Sequence, residues 1–375
     1  MRVLMTGGGT GGHVNPALAV AETIKRNIPG AEIAFAGTPR GLENTLVPRA
    51  GYKLYHVNVR GFERKLSLKN IRAAWLALVS PVKARKIIKE FKPDIVVGTG
   101  GYVCWPVIVA ASKLGVPTAV HEANAVPGLT VRKLIPYVDR IFINFAVTAE
   151  ALGSAARDKI MHVGCPLSGE IGRIGREEAR KKLGTEGRYS RYLLSFGGSL
   201  GADTLNSVAF ELMEKYVSCH PDVHYIHATG AAHFEECCDR YYSGGFDRYT
   251  NIELVKYIYD MPLQLAAADL VISRSGAITC SELSRAGRGA LLIPSPNVTD
   301  NQQYKNARVL EKSGGAILTE EKDLSEGLIP DQVDKIFSVP GFAEQMGRNI
   351  ATLSPSDANG MIFDEIVRLV AKEIR

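Results

Sequence analysis

No stretch of the chain reaches the ~18 consecutive apolar residues that a membrane-crossing helix needs. Any meeting with a bilayer is therefore expected from the side. The apolar run from Met1 to Thr6 stops at glycines and is far too short for a secretory signal peptide. CxxC pairs and zinc-finger spacings are missing among the six cysteines, Cys104, Cys165, Cys219, Cys237, Cys238 and Cys280. Adjacent Cys237 and Cys238 are badly placed to bridge each other. A reducing, cytoplasmic compartment follows. There is no long Lys/Arg run, and 45 basic against 39 acidic residues leave a formal net charge of +6. That is too weak and dispersed for nucleic acid, but it suits an anionic ligand or an anionic membrane face. No DxD-like motif sits at a strand end, so ligand binding without a metal or other cofactor is expected.

Glycine is what the chain has in excess, 37 of 375 residues, against a usual ~7%. The glycines cluster, which points to binding loops built from backbone. Hydrophobic content of 46% with 22% charge is that of a globular protein rather than a disordered one. The length suits two domains at roughly 150 residues each.

Short β-branched runs at residues 3–6, 32–36, 95–98, 117–121 and 140–144 read as strands. Helical patterns at 17–27, 71–90 and 105–114 fall between them. The pattern restarts with a strand at 192–196 and a helix at 202–215. Strands at 224–229, 252–255, 270–273 and 290–294 follow. This alternation predicts an α/β protein with parallel, doubly wound sheets. The turn-rich segment Val163-Gly164-Cys165-Pro166-Leu167-Ser168 marks the boundary, giving domains 1–163 and 164–356. A last helix over 357–375 is a candidate to fold back on the first domain. Val3 to Gly12 (VLMTGGGTGG) resembles Leu193 to Ala202 (LLSFGGSLGA), a weak internal duplication of strand, Gly-rich turn and helix. Two such units facing one cleft would hold a charged ligand.

Five segments carry chemistry. Gly7, Gly9 and Gly12 satisfy GxGxxG between a strand and a helix. Such a loop is either a tight turn or a cradle in which backbone N–H groups at a helix start meet phosphate oxygens. A dinucleotide site would need an acidic residue ending the second strand. Ile33-Ala34-Phe35-Ala36-Gly37 has none, so pyrophosphate or glycosyl phosphate ranks above NAD. His13 closes the loop, as a capping imidazole or as a general base toward an acceptor. Gly197-Gly198-Ser199-Leu200-Gly201 repeats the pattern with a hydroxyl in it. Arg274 to Glu282 is a small-residue turn running through Ala277 into a helix. There Glu282 either meets the helix dipole or accepts from two ribose hydroxyls. Asp300 to Asn306 (DNQQYKN) places Gln302 and Gln303 side by side, at a solvated helix start or reading sugar hydroxyls. Gly98-Thr99-Gly100-Gly101-Tyr102 and His121 to Gly128 (HEANAVPG) follow strands on the same carboxyl edge as His13.

In this order, GGGTGGHVNP (Gly7–Pro16), Gly100–Tyr102, HEANAVPG, GGSLGA (Gly197–Ala202), Ser273–Glu282 and DNQQYKNA (Asp300–Ala307) resemble the MurG family through nearly the whole chain. The resemblance implies a GT-B fold, two Rossmann-like domains with parallel sheets facing an interdomain cleft. It implies an inverting hexosyltransferase of peptidoglycan synthesis, serving cell-wall biogenesis, shape and division. GlcNAc would pass from UDP-GlcNAc to undecaprenyl-diphosphate-MurNAc-pentapeptide (lipid I), giving lipid II. Work would proceed peripherally on the cytoplasmic face of the cell membrane, at the inner leaflet, with cell-wall synthesis proteins as further partners. Donor contacts fall to Thr10, Gly11, Gly12, Asn124, Ser199, Leu200, Gly201, Ala277, Glu282, Gln302 and Gln303. Backbone around Tyr259 to Met261 would meet uracil. His13, Asn124, Gly100, Gly101 and Tyr102 would face the acceptor, with His13 catalytic. Leu66, Leu68, Ile71, Trp75, Leu76, Leu78, Val79, Val82 and Trp105, ringed by Arg64, Lys65, Lys69, Arg72, Lys83 and Arg85, read as membrane surface or as core.

The chain departs from the family pattern at Ala123, at Leu200 and at Ser168, where an arginine is usual; Arg173 is the nearest substitute. Alternatives on the same fold are a diacylglycerol glycosyltransferase and a UDP-GlcNAc 2-epimerase. From another class, a dinucleotide-dependent oxidoreductase remains because of GxGxxG.

Overall fold

The computed structural model describes residues 1–59, 68–167, 169–355 and 357–373; for residues 68–79 it describes the backbone alone. The chain divides into two compact units, Met1–Ser168 with Pro355–Arg375, and Gly169–Ser354.

The first unit is built from β1 (Arg2–Thr6), α1 (Gly11–Asn27), β2 (Glu32–Gly37), α2 (Glu43–Arg49), β3 (Lys53–His56), α3 (Leu68–Phe91), β4 (Ile95–Gly98), α4 (Cys104–Ser112), β5 (Thr118–Glu122), α5 (Leu129–Leu134), β6 (Arg140–Ile143), α6 (Thr148–Leu152) and β7 (Ile160–His162). The strands form a parallel sheet ordered β3-β2-β1-β4-β5-β6-β7. Central strands such as Ile95-Val96-Val97-Gly98 are buried throughout, as a sheet covered on both faces requires. In α1 the buried positions Val14, Ala17, Val20, Ala21 and Ile24 recur every three or four residues and lie on the sheet.

The second unit contains α7 (Arg176–Lys182), β8 (Arg191–Phe196), α8 (Asp203–Lys215), β9 (Val223–Ala228), α9 (Phe234–Ser243), β10 (Ile252–Val255), α10 (Met261–Ala267), β11 (Leu270–Ser273), α11 (Ala277–Ala286), β12 (Gly289–Leu292), α12 (Gln302–Lys312), β13 (Ala316–Leu318), α13 (Leu328–Ser338) and α14 (Phe342–Ala351). Its parallel sheet runs β10-β9-β8-β11-β12-β13. The final helix, α15 (Ala358–Glu373), places Ile362, Ile366 and Leu369 in one apolar cluster with Val14, Ala17 and Val20 of α1.

Three strands, β3, β7 and β13, and the short helix α2 lie outside the sequence pattern. All three strands are edges of three or four residues, and their side chains are largely half-exposed. A strand covered on one side and ending early offers no continuous apolar run to read. In each sheet the order reverses beside one strand pair, β1/β4 and β8/β11. Loops leaving the carboxyl ends of such pairs open a crevice for ligands.

Three histidines are buried in neutral form. His121 Nε2–H donates to the Gly164 carbonyl (2.9 Å), and burial lowers its pKa to about 4. His224 stacks on Tyr189, and burial, then Arg188 and Arg180, lower it to about 4. His227 joins Ser195 Oγ (2.6 Å) to Asn206 Oδ1 (3.0 Å), and burial lowers it to about 3. An unfolded histidine titrates near ~6.5, so between pH ~6.5 and ~4 the unfolded chain binds more protons. Stability from these groups is complete above ~6.5 and is lost as pH falls. The expected loss is on the order of 2 kcal/mol per histidine between pH 7 and 5. Urea midpoints at pH 7.5 and 5 measure it. His224→Phe, which keeps the stacking ring, is expected to flatten the slope; an unchanged slope removes His224 from the account.

Candidate functional site

In the first unit the crevice beside β1 and β4 is lined by the Gly-rich loop and by Thr99 to Tyr102. The Gly8 carbonyl meets His13 Nδ1 at 3.0 Å. A carbonyl can only accept, so Nδ1 carries the proton and Nε2 keeps its lone pair. Thr99 Oγ1 donates to the His13 carbonyl (2.7 Å), tying the two loops together. Gly100 has φ +114, and a Cβ there would lie 2.4 Å from the His13 ring. Gly101 has φ +83, and its Cβ would lie 2.5 Å from the Gly8 carbonyl oxygen. Both glycines are therefore required by the imidazole's seat as well as by the turn. Thr10 precedes the helix and stands 3.4 Å from His13 Nδ1; Gly11 and Gly12 form the first turn of α1. Tyr102 is half-exposed beside them.

Asn124 enters through Glu122. The Glu122 carboxylate accepts from the Asn124 N–H (2.9 Å), from Asn124 Nδ2 (3.1 Å) and from the Gly128 N–H (2.8 Å). Burial raises the Glu122 pKa, while those bonds and nearby His13 oppose the rise. So His13, Gly100, Gly101 and Asn124 belong to one neighbourhood, with Glu122 as a member that the motif contains and the sequence reading did not assign.

In the second unit, Ser199 and Leu200 are exposed at the tip of the loop after β8, between Gly198 (φ +96) and Gly201 (φ +88). The loop after β9 grips it: Ala231 and Ala232 donate to the Ser199 and Leu200 carbonyls at 3.2 and 3.3 Å. Ala277 opens α11, and Glu282 lies half-buried on that helix. Loss of solvent pushes the Glu282 carboxyl up to about 7, and no described residue donates to it. Ser275 Oγ donates to the Gln303 carbonyl (2.9 Å), and Asn306 Nδ2 donates to the Ser275 carbonyl (3.3 Å). Those bonds join the start of α12 to the loop after β11.

The Ser295 N–H donates to Gln303 Oε1 (2.8 Å). The Gln303 side-chain N–H pair then has no protein acceptor among the described residues, and Gln302 adjoins it. Asp300 and Asn301 are both left-handed (φ +54 and +51), which sets the angle at which α12 begins. A cavity of about 470 Å³ beside them is lined by Pro294, Pro296, Asn301, Glu320, Glu321 and Lys322. Arg274 pairs with Glu321 and donates to the Ile293 carbonyl (3.0 Å), and Thr204 Oγ1 donates to Glu321 at 2.9 Å. The Tyr257 and Tyr259 rings meet at 5.1 Å, with Tyr259 89% exposed just before Met261.

Of the membrane-surface candidates, Arg64, Lys65 and Leu66 lie outside the described residues, as do the side chains of Leu68, Lys69, Ile71, Arg72, Trp75, Leu76, Leu78 and Val79. Val82, Lys83 and Arg85 are exposed. Trp105 is half-buried and packs edge-on against Tyr137 (5.7 Å) beside the core, so it is drawn inward. Arg173 is exposed, with its N–H bonded to the Glu170 carbonyl.

Residues 3–143 match the N-terminal domain of glycosyltransferase family 28, and residues 192–359 match its C-terminal domain. A UDP-N-acetylglucosamine–N-acetylmuramyl-(pentapeptide) pyrophosphoryl-undecaprenol N-acetylglucosamine transferase of Acetivibrio thermocellus is 41% identical over 372 residues, 99% of each chain. The chain belongs to the MurG family. It is accordingly a glycosyltransferase. A Bacillus cereus transferase of the same description is 37% identical over 99% of this chain and 100% of its own. The crystal structure of Acinetobacter baumannii MurG superposes with a TM-score of 0.77 at 27% identity, covering 98% of this chain and 99% of that one. MurG membership accounts for the GT-B architecture. A Neisseria meningitidis UDP-GlcNAc 2-epimerase superposes with a TM-score of 0.67 at 14% identity over 98% of this chain and all of its own, a likeness of fold alone. The epimerase, diacylglycerol-transferase and oxidoreductase alternatives are not favoured beside the MurG relatives.

Proposed function

We propose that this chain moves GlcNAc from UDP-GlcNAc to lipid I, forming lipid II. The observation that carries this is 41% identity across 99% of both chains with a transferase of that description. On this reading the second unit holds the donor. Ser199 and the amides of Leu200 and Gly201 take the diphosphate, Ala277 lets it approach closely, and Glu282 accepts from the ribose. Gln302 and the N–H pair of Gln303 read the sugar, and backbone near Tyr259 to Met261 meets uracil. The first unit presents the acceptor to His13 with Gly100, Gly101, Tyr102 and Asn124, while Thr10, Gly11 and Gly12 complete the donor side. The acceptor hydroxyl attacks the anomeric carbon opposite UDP and gives its proton to His13 Nε2.

The reading also places the enzyme peripherally at the inner leaflet. No helix among the described residues is long and apolar enough to cross a membrane. The exposed Val82, Lys83 and Arg85 support a side-on contact.

Transfer of labelled GlcNAc from UDP-GlcNAc to a lipid I analogue tests the reaction; a folded sample that yields no product rejects it. A thermal-shift panel of UDP, UDP-GlcNAc, NADH and NADPH separates nucleotide classes, since a bound ligand raises the midpoint by mass action. Stabilisation by the uridine nucleotides alone is expected.

A further inference from the structure

Behind the Gly-rich loop lies a carboxylate with no access to solvent. Glu43 opens α2 and is 0% exposed. Its Oε1 accepts from the Thr38 N–H and hydroxyl, both at 2.7 Å. Its Oε2 accepts from the Gly9 N–H at 2.8 Å. Burial pushes the Glu43 pKa up, but the Thr38, Gly9 and own-backbone donors outweigh it, and the net direction is down. The group is an anion at neutral pH.

The chain gives this anion its room by omitting side chains. A Cβ on Gly8, Gly37 or Gly41 would lie 2.3, 2.6 or 2.0 Å from a Glu43 side-chain atom. The Gly9 N–H would otherwise face a phosphate in a loop of this kind. It is instead committed to Glu43.

The Gly9 N–H and the Gly8 C=O are two ends of one peptide group. One end donates to Glu43, and the other accepts from His13 Nδ1 at 3.0 Å. The geometry points to Glu43 as the positioning residue of a carboxylate–peptide–imidazole relay that orients His13 and raises its basicity. Hydrogen bonds in series polarise one another, so an anion on the N–H end makes the carbonyl a stronger acceptor. A stronger acceptor at Nδ1–H holds one tautomer and enriches the lone pair on Nε2. Glu43 takes no proton itself: the acceptor's proton goes to Nε2, and Nδ1–H stays with Gly8. This rests on His13 being the base proposed above.

The test reads the link and the catalysis separately. His13 is followed by nitrogen-15 NMR in histidine-labelled full-length protein across pH, in wild type, Glu43→Gln and Glu43→Asp. Among the described residues Glu122, at the end of β5, is the titratable group that interacts with the imidazole, and it remains in every variant. Glu43→Gln is expected to lower the His13 midpoint by about 0.5–1 pH unit. It is expected to cut turnover on the order of 10–100-fold, as removing the partner behind a working imidazole does. The Michaelis constant for UDP-GlcNAc stays put. Glu43→Asp keeps the charge but draws it back, and is expected to fall between the two on both readouts. If the Gln variant does not fold, the Asp variant carries the comparison alone. In a His13→Ala background the Glu43 change is expected to cost nothing further.

An unmoved His13 midpoint in the variants overturns the relay, whatever His13 does in turnover. A moved midpoint with unchanged turnover overturns the positioning role, and so does a full second loss in the His13→Ala background. Full turnover by His13→Ala alone ends the base reading, while the titration still decides whether Glu43 reaches the imidazole.

Discussion

His13→Ala is expected to lower turnover roughly 10²–10⁴-fold at saturating acceptor, with UDP-GlcNAc affinity nearly unchanged. The size follows from the role: an alcohol attacking an anomeric carbon must shed a proton, and a positioned base contributes about that factor. The ring is held from several sides. Gly8 takes the proton-bearing nitrogen, Gly100 leaves space for the ring edge, and Thr99 fixes the His13 carbonyl. Only Nε2 remains for the acceptor. Most of the donor contacts proposed, at Ser199, Leu200, Gly201, Ala277, Glu282, Gln302 and Gln303, lie on the other unit, and Thr10, Gly11 and Gly12 are unchanged in the variant, so nucleotide affinity is expected to move little. A residue that merely positioned the acceptor would behave differently, raising the acceptor Michaelis constant and sparing turnover at saturation. Steady-state kinetics with both substrates varied separates the two, and near-wild-type turnover would falsify the general-base assignment.

Glu282→Ala is expected to raise the Michaelis constant for UDP-GlcNAc, or lower turnover, by at least ~10-fold, because two charge-assisted bonds to ribose are worth roughly 1.5–3 kcal/mol. The unpaired carboxyl adds a sharper forecast. With its pKa at about 7 in the unliganded chain, part of the population is protonated at neutral pH. Hydroxyl donors favour the carboxylate, so nucleotide binding expels that proton. The ratio of UDP affinity in wild type to that in Glu282→Gln is expected to climb between pH 6 and 8, the titration of the UDP terminal phosphate being common to both proteins. Calorimetry in buffers of different ionisation enthalpy reads the released proton directly. The stability effect runs the other way. A carboxyl whose folded pKa lies above its unfolded value supports folding at low pH and loses that support as pH rises from ~4.5 through 7. At pH 8, Glu282→Gln is therefore expected to melt higher than wild type while binding UDP more weakly. Equal UDP affinity in the two proteins removes Glu282 from the ribose site.

How much of this could be read from residues alone depends on how local each signal was. The loops after β1, β4, β8 and β11 announce themselves, because a strand, a glycine cluster and a helix start occupy a dozen neighbouring positions. The places of His13 and Ser199 on those loops are legible for that reason. Glu43 is not. It opens a seven-residue helix with no motif of its own, and its partner Gly9 is 34 positions away. Arg274 is the same case, since its partner Glu321 is 47 residues on and belongs to a loop with no motif. Glu122 stood inside a recognised segment, but its burial depends on how the turn to Gly128 closes over it. Pattern reading finds residues that act through their own backbone; it misses those that act by supporting someone else's.

The placement of α15 sets an order on synthesis. Ile362, Ile366 and Leu369 are at most 7% exposed and complete the apolar cluster that includes Val3 and Met5 of β1. Each such side chain is worth about 1.5–3 kcal/mol when buried. On the ribosome β1 precedes and α15 follows Gly169–Ser354, which emerges whole between them. The second unit can therefore reach its native packing before α15 is made, whereas the first unit waits for α15 to close its core. In the interval the side of α1 that meets α15 is open to chaperones, and a chain ending before α15 would leave it so.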